Sequence, residues 1–242
     1  MERNDTIIEV RGVTKVFKTG RGLVRAIDGV DLDILEGEYL SVMGPSGSGK
    51  STLFNMIGAL DRPTGGTVEI GGVFLGKLNN REAAYFRSQH MGYIFQAYNL
   101  IPSLTALKNV ALPVSLAGAS TAEAISRATQ ALDEVGLGER IGHRPEELSG
   151  GQQQRVAIAR AIVNKPSILL ADEPTANLDL HTGEQIIDLL RSLCRKHGVT
   201  VITATHDHAM LAVSDRVVWI ADGKIKKIAK SSELRIKTGS LV

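Results

Sequence analysis

Between the apolar run Tyr39 to Met43 and the helix-forming stretch Ser51 to Leu60 stand Gly44, Pro45, Ser46, Gly47, Ser48, Gly49, Lys50 and Ser51. This stretch constrains the fold more than any other. A buried strand must enter a glycine-rich turn and leave it as a helix. The spacing is G-x-x-x-x-G-K-[ST], and the strand–turn–helix context gives it meaning. Glycines let a backbone wrap closely around phosphate, with several N–H groups pointing inward. The helix start adds partial positive charge. Lys50 then supplies a point charge to the β- and γ-phosphates of a nucleotide, and the Ser51 hydroxyl is a ligand for Mg2+. Residues Gly44 through Thr52 are the expected phosphate-binding segment. The alternative, a glycine-rich turn that binds nothing, leaves the flanking strand and helix unexplained.

Further apolar runs are short and continuous: Ile168 to Ala171, Val199 to Thr203 and Arg216 to Ile220. Such runs fit strands buried on both faces of a parallel sheet. Helical stretches, Gln152 to Val163 and Gly183 to Lys196, alternate with them, which predicts a wound α/β core. Near the N-terminus, Ile7 to Val16 and Val30 to Ile34 alternate apolar and polar, and Thr67 to Leu75 reads as a hairpin turning at Gly71-Gly72. These predict an antiparallel β-layer. Between Gln96 and Glu147 the strand signal fades, and Thr121 to Val135 is amphipathic with Gly136 as C-cap. The expectation is one domain over 1–242: a core from 1–96 and 148–230, a helical insertion at 97–147 and a basic tail at 231–242.

Asp172 and Glu173 follow the apolar run Ile168 to Ala171. A carboxylate at a strand's C-terminal end faces the ligand crevice of an α/β sheet. Asp172 is the expected Mg2+ holder, through water, and Glu173 the general base on the attacking water. Further along, Ser149 and Gln152 form a capping box, S-x-x-Q, that starts a helix regardless of function. The two residues between them, Gly150 and Gly151, each cost about 1 kcal/mol of helix propensity. A plain cap has no use for them, whereas a helix start that approaches phosphate does.

Taken together, the phosphate loop, Gln96, Leu148-Ser-Gly-Gly-Gln152, Asp172-Glu173 and His206 resemble the ATP-binding subunits of ABC transporters, from about Ile7 to about Lys230. The resemblance implies that Ser149 to Gln152 contact the γ-phosphate of ATP held by a second copy. Two ATP molecules are then sandwiched in a two-fold homodimer that opens on hydrolysis. It also implies that Gln96 senses Mg2+ and the attacking water, and that His206 contacts the γ-phosphate, with His208 as the alternative. Asp179, in Asn177-Leu178-Asp179, belongs by the same resemblance to a segment crossing the dimer interface. Many family members carry Ala or Gly where this chain has Asn177. Phe17 sits where the family stacks an aromatic ring on adenine, and it reads equally as a core residue.

Ile57 to Gly65, Phe95 to Ala106 and Leu148 to Arg155 are similar to the lipoprotein-releasing, macrolide-efflux and cell-division-linked branch. This implies a separate integral membrane permease, work at the cytoplasmic face of the membrane, and extrusion of cargo. ATPases of amino-acid importers are the runner-up. A soluble DNA-repair or translation ABC ATPase would carry a long coiled coil or two ATPase units. A P-loop kinase or GTPase has no need of Leu148 to Gln152.

Composition narrows the partners. Lys plus Arg total 28 and Asp plus Glu 26, a net charge of +2, so no nucleic acid partner is expected. The stretch from Lys224 through Lys237 is locally basic and reads as a solvated end, with anionic lipid as the alternative. Cys194, the one cysteine, falls on the apolar helix stripe Ile186 to Leu193 and reads as packing. Met1 to Asp5 is polar, with no signal-type run after it, and nothing approaches the roughly 18 apolar residues of a membrane span. His90, His143, His181 and His197 lack metal-ligand spacing, so no structural metal is expected.

Overall fold

The computed structural model describes residues 5–20, 22–234, 236–237 and 240–241. Met1 to Asn4 and parts of the basic tail (235, 238–239 and 242) lie outside the described residues. Strands β1 (Thr6–Thr19) and β2 (Gly22–Leu35) form a long antiparallel hairpin, joined on its other side by β4 (Gly65–Ile70) and β5 (Val73–Phe74), in the order β2-β1-β4-β5. Both long strands outrun the alternation read from sequence. Register shifts around Val13 absorb the breaks in the pattern, so the ladder continues through them.

The second sheet has the order β10-β9-β3-β8-β7-β6. Strands β3 (Tyr39–Met43), β6 (Met91–Ile94), β7 (Ile168–Asp172), β8 (Thr200–Thr205) and β9 (Arg216–Ala221) run parallel. Their continuous apolar runs are explained by burial on both faces. Leu40, Val42, Leu170 and Ile202 pack toward the antiparallel sheet and helix α1 (Lys50–Ile57). Tyr39, Leu169, Ala171 and Val201 pack toward the helical side. That side is built from α3 (Ala106–Leu116), α4 (Thr121–Glu134), α5 (Gly150–Ile162) and α6 (Leu180–His197). Cys194 lies in this core, 2% exposed, as its place on the stripe requires.

Two elements go beyond the sequence reading. Helix α2 (Asn80–His90) buries only Ala83 and Phe86, so it has almost no apolar stripe; a capping box of Asn79 and Glu82 starts it. Strand β6 is four residues long with Gly92 inside it, where a Cβ would meet the Ala161 carbonyl oxygen at 2.3 Å. The basic stretch at Lys224 needs correction. Lys224–Lys230 is strand β10, antiparallel to β9, with Ala229 buried and its lysines outward. Charge on an edge strand discourages pairing with other chains.

Candidate functional site

The parallel strands deliver the expected residues to one edge. Gly44 follows β3, Asp172 ends β7, and His206 follows β8; Met43 lies beside Thr205, and Asp172 beside Ala204. Gln96 stands two residues beyond Ile94, the partner of Ala171. The carboxyl edge of such a sheet is where α/β proteins hold ligands.

Gly49 sits at φ +107°, and a Cβ there would lie 2.6 Å from the Ala26 carbonyl oxygen. No side chain but glycine's fits both constraints. Gly49 is also the N-cap of α1, which has no side-chain cap. Every other α-helix among the described residues is capped by a side chain: Asn79, Thr105, Ser120, Ser149, Asp179 and, for α7 (His208–Val213), Asp207. The first amides of α1 are thus left for an anion. The Ser48 hydroxyl inside the loop is buried and has no partner among the described residues. Lys50 Nζ folds back on the carbonyls of Gly44 (2.7 Å) and Pro45 (3.2 Å), over the loop's mouth. This cradle fits a nucleotide's phosphates.

Beside it, Ser51 Oγ donates to Asp172 Oδ2 at 3.0 Å. Burial pushes the Asp172 carboxyl above its ordinary pKa. No group of three or more His, Cys, Asp or Glu side chains able to hold a metal occurs among the described residues. A hydroxyl and one carboxylate suit Mg2+, which keeps several waters and shares phosphate oxygens.

Glu173 lies between three anchors. Its N–H donates to the Ala204 carbonyl at 2.9 Å, Oε2 stands 2.8 Å from His206 Nδ1, and Oε1 is 4.0 Å from Lys50 Nζ. Its φ of +49° is strained for a residue with a Cβ, the kind of cost that persists at functional sites. His206, not His208, is the histidine paired with Glu173; His208 Nδ1 is buried, with no partner among the described residues. A cleft of about 710 Å³ opens beside Glu173 and His206, lined also by Leu180, Glu184 and His208.

Phe17 is 40% exposed, so it is not a core residue; Lys15 Nζ lies 5.1 Å from its ring centre. Ser149 and Gln152 form the expected capping box. Of the two glycines between them, one has a packing reason that the capping argument did not include. A Cβ on Gly151 would stand 2.3 Å from Thr182 Cγ2 of α6, so Thr182 would have to shift and packing within the chain already favours glycine there. Gly150 is freer: its Cβ would meet the tip of Tyr98 at 3.0 Å, Leu178 at 3.6 Å and the Asn177 carbonyl oxygen at 3.9 Å. Asp179 caps α6 by accepting from Thr182 N and Oγ1, which lowers its pKa. Two contacts had no sequence signal. Gln154, buried on α5, donates to the Pro174 carbonyl at 2.8 Å, and Asn177 Nδ2 donates to the Gln96 carbonyl at 2.8 Å. The first ties α5 to the turn after β7, and the second joins two loops 81 residues apart.

An uncapped helix start facing a Ser–Asp pair, with a carboxylate and imidazole next along the edge, defines a P-loop ATPase. A family model described as ABC transporter matches residues 27–176, and the chain belongs to that family. It is 43% identical to the lipoprotein-releasing system ATP-binding protein LolD of Bacteroides fragilis, over 90% of this chain and 100% of that one. It is 47% identical to the macrolide export ATP-binding/permease protein MacB of Rhodopirellula baltica, over 90% of this chain but 32% of that longer one. A solved dimer of the ATP-binding cassette MJ0796 in a post-hydrolysis state, bound to ADP and Pi, superposes with a TM-score of 0.86 at 44% identity, over 93% of this chain and 98% of that one. The chain is an ATP-binding, ATP-hydrolysing subunit of an ABC transporter.

Proposed function

We propose that this subunit drives a separate integral membrane permease by pairing with a second copy around two ATP molecules, and that the system extrudes a lipoprotein, a macrolide or similar cargo. One observation carries the pairing. Lys50, Ser51, Asp172, Glu173 and His206 converge, but no hydrogen bond or ion pair among the described residues joins Ser149–Gln152 to them. The α5 N-terminus is capped and offset, and a head-to-tail second copy would bring it to the open side of the phosphate cradle.

In this reading, Phe17 stacks on adenine, and the amides from Ser46 to Thr52 with Lys50 bind phosphate. Ser51 and Asp172 would hold Mg2+, Asp172 through water, with Gln96 near the metal. Bound there, Mg2+ would neutralise charge on the β- and γ-phosphates. Glu173 accepts a proton from the attacking water, and its bond to His206 fixes the carboxylate's direction. Asp179 caps α6 at the face turned to the second copy. Among the described residues no helix is long and apolar enough to cross a membrane. Relatives named for lipoprotein release and macrolide export favour extrusion and a place at the cytoplasmic face of the membrane.

The test is recovery of tagged Glu173→Gln from detergent-solubilised membranes of the source cells, with and without ATP and Mg2+. Slowed about 10²- to 10⁴-fold, the worth of a general base, the variant should hold the closed pair. An integral membrane protein recovered with it supports the reading and identifies the permease. Soluble partners only, or the bait alone as an ATP-dependent dimer, would point to a non-transport ABC ATPase.

A further inference from the structure

The loop from Gln96 to Asn99 is held at two places. At its far end Tyr98 and Asn99 are both left-handed, at φ +58° and +51°. Arg160 of α5 donates to both of their carbonyls, at 2.8 Å to Tyr98. At its near end the Gln96 carbonyl accepts from Asn177 Nδ2 at 2.8 Å. Asn177 itself stands on a fixed turn: Ala176 N–H donates to the Glu173 carbonyl, Leu178 N–H to the Thr175 carbonyl, and Asp179 caps α6. The Gln96 side chain is exposed and has no hydrogen-bond partner among the described residues. Arg160 therefore secures the strained half of the loop, and among the described residues Asn177 alone donates a side-chain hydrogen bond to the Gln96 carbonyl. Alanine or glycine at 177 would leave that carbonyl without this donor.

We propose that Asn177 is a positioning residue that sets the direction of Gln96 from the turn carrying Glu173, so that the general base and the metal-sensing glutamine share one frame. This rests on the role given to Gln96 above. The bond spans two loops at the carboxyl edge of β6 and β7, where neighbouring strands already fix the spacing of their ends. Adjusting Gln96 through its own backbone leaves its amide free for metal or water.

The experiment compares the full chain with Asn177→Ala, the isosteric Asn177→Asp and Gln96→Ala. Backbone hydrogen–deuterium exchange over 95–101 is followed without nucleotide, and the Mg2+ dependence of ATP hydrolysis is measured alongside. Asn177→Ala should speed exchange in this segment, lower kcat about two- to tenfold (the range of one neutral hydrogen bond) and raise the Mg2+ requirement, with KM for ATP unchanged. Asn177→Asp keeps the shape but presents an acceptor to an acceptor, so it should be at least as impaired; a purely structural role would leave it like the parent. Exchange that stays slow in Asn177→Ala, or a loosened loop with unchanged kcat and Mg2+ requirement, overturns the proposal. If Gln96→Ala itself hydrolyses normally at every Mg2+ concentration, the role of Gln96 fails and takes the catalytic part of the proposal with it. If Gln96→Ala is impaired and both Asn177 variants turn over normally, only the proposal fails.

Discussion

Gly150 and Gly151 separate two reasons for glycine at the start of α5, and alanine scanning can tell them apart. At Gly151 a methyl would lie 2.3 Å from Thr182 Cγ2, far inside contact distance. Forcing an extra methyl into such a site costs about 1 to 3 kcal/mol. Replacing glycine by alanine in a helix returns about 1 kcal/mol. The net for Gly151→Ala is a loss of roughly 1 kcal/mol, which lowers Tm by about 2 to 4 °C in a chain of this size. Gly150→Ala meets the Tyr98 hydroxyl tightly and Leu178 and the Asn177 carbonyl at ordinary contact distance, so it should be neutral or slightly stabilising. The decisive partner is Thr182→Ser. It removes the offending methyl but keeps the hydroxyl that donates to Asp179 at 2.6 Å. Urea unfolding of the four chains of the Gly151→Ala/Thr182→Ser cycle measures the coupling, and the double variant should recover most of the loss. An unrecovered loss, or Gly151→Ala as stable as the parent, refutes the packing argument. ATPase activity of Gly150→Ala then reads the second reason alone: a stable but inactive chain means that the backbone must approach phosphate there.

Other outcomes follow from the site. Lys50→Ala removes charge-assisted bonds to phosphate worth about 1.5 to 3 kcal/mol, so calorimetry should show nucleotide affinity about ten- to hundredfold weaker; unaltered affinity would count against the phosphate cradle. Asp172→Asn should lose Mg2+-dependent hydrolysis yet be at least as stable as the parent without ligand. Burial raises the Asp172 pKa, so its charged form costs the folded state above that pKa, and the cost fades as pH falls through it. The stability gap between the two chains should therefore shrink in acid, and a gap that widens would contradict the assignment. Cys194, buried, donating to the Gly37 carbonyl at 3.3 Å and with its pKa raised by burial, should be alkylated at pH 8 far more slowly than in denaturant; equal rates would mean that this core opens freely.

What could be read in the sequence was local or periodic. Gly44 to Ser51 announced its turn by spacing, the run at Ile168 announced a two-faced strand, and Ser149 with Gln152 announced a cap. Strand β6 was hidden because four residues with a glycine carry no period. Strand β10 was hidden by its lysines, which suit an edge and a solvated tail equally. Helix α2 carried a readable cap at Asn79 but lacked an apolar stripe to follow it. The pairing of Glu173 with His206, the bond from Asn177 to Gln96 and the clash awaiting Gly151 depend on partners dozens of residues away, and only the folded sheet brings them together.

The missing side-chain cap of α1 has a consequence for the life of the protein in its cell. A cap is worth about 1 kcal/mol, and among the α-helices of the described residues α1 alone forgoes it, at the start that forms the phosphate cradle. A ligand at 100 times its dissociation constant adds about 2.7 kcal/mol to the folded state. The fraction of molecules open to proteases therefore follows the nucleotide supply, and a starved cell would clear idle copies faster than a fed one.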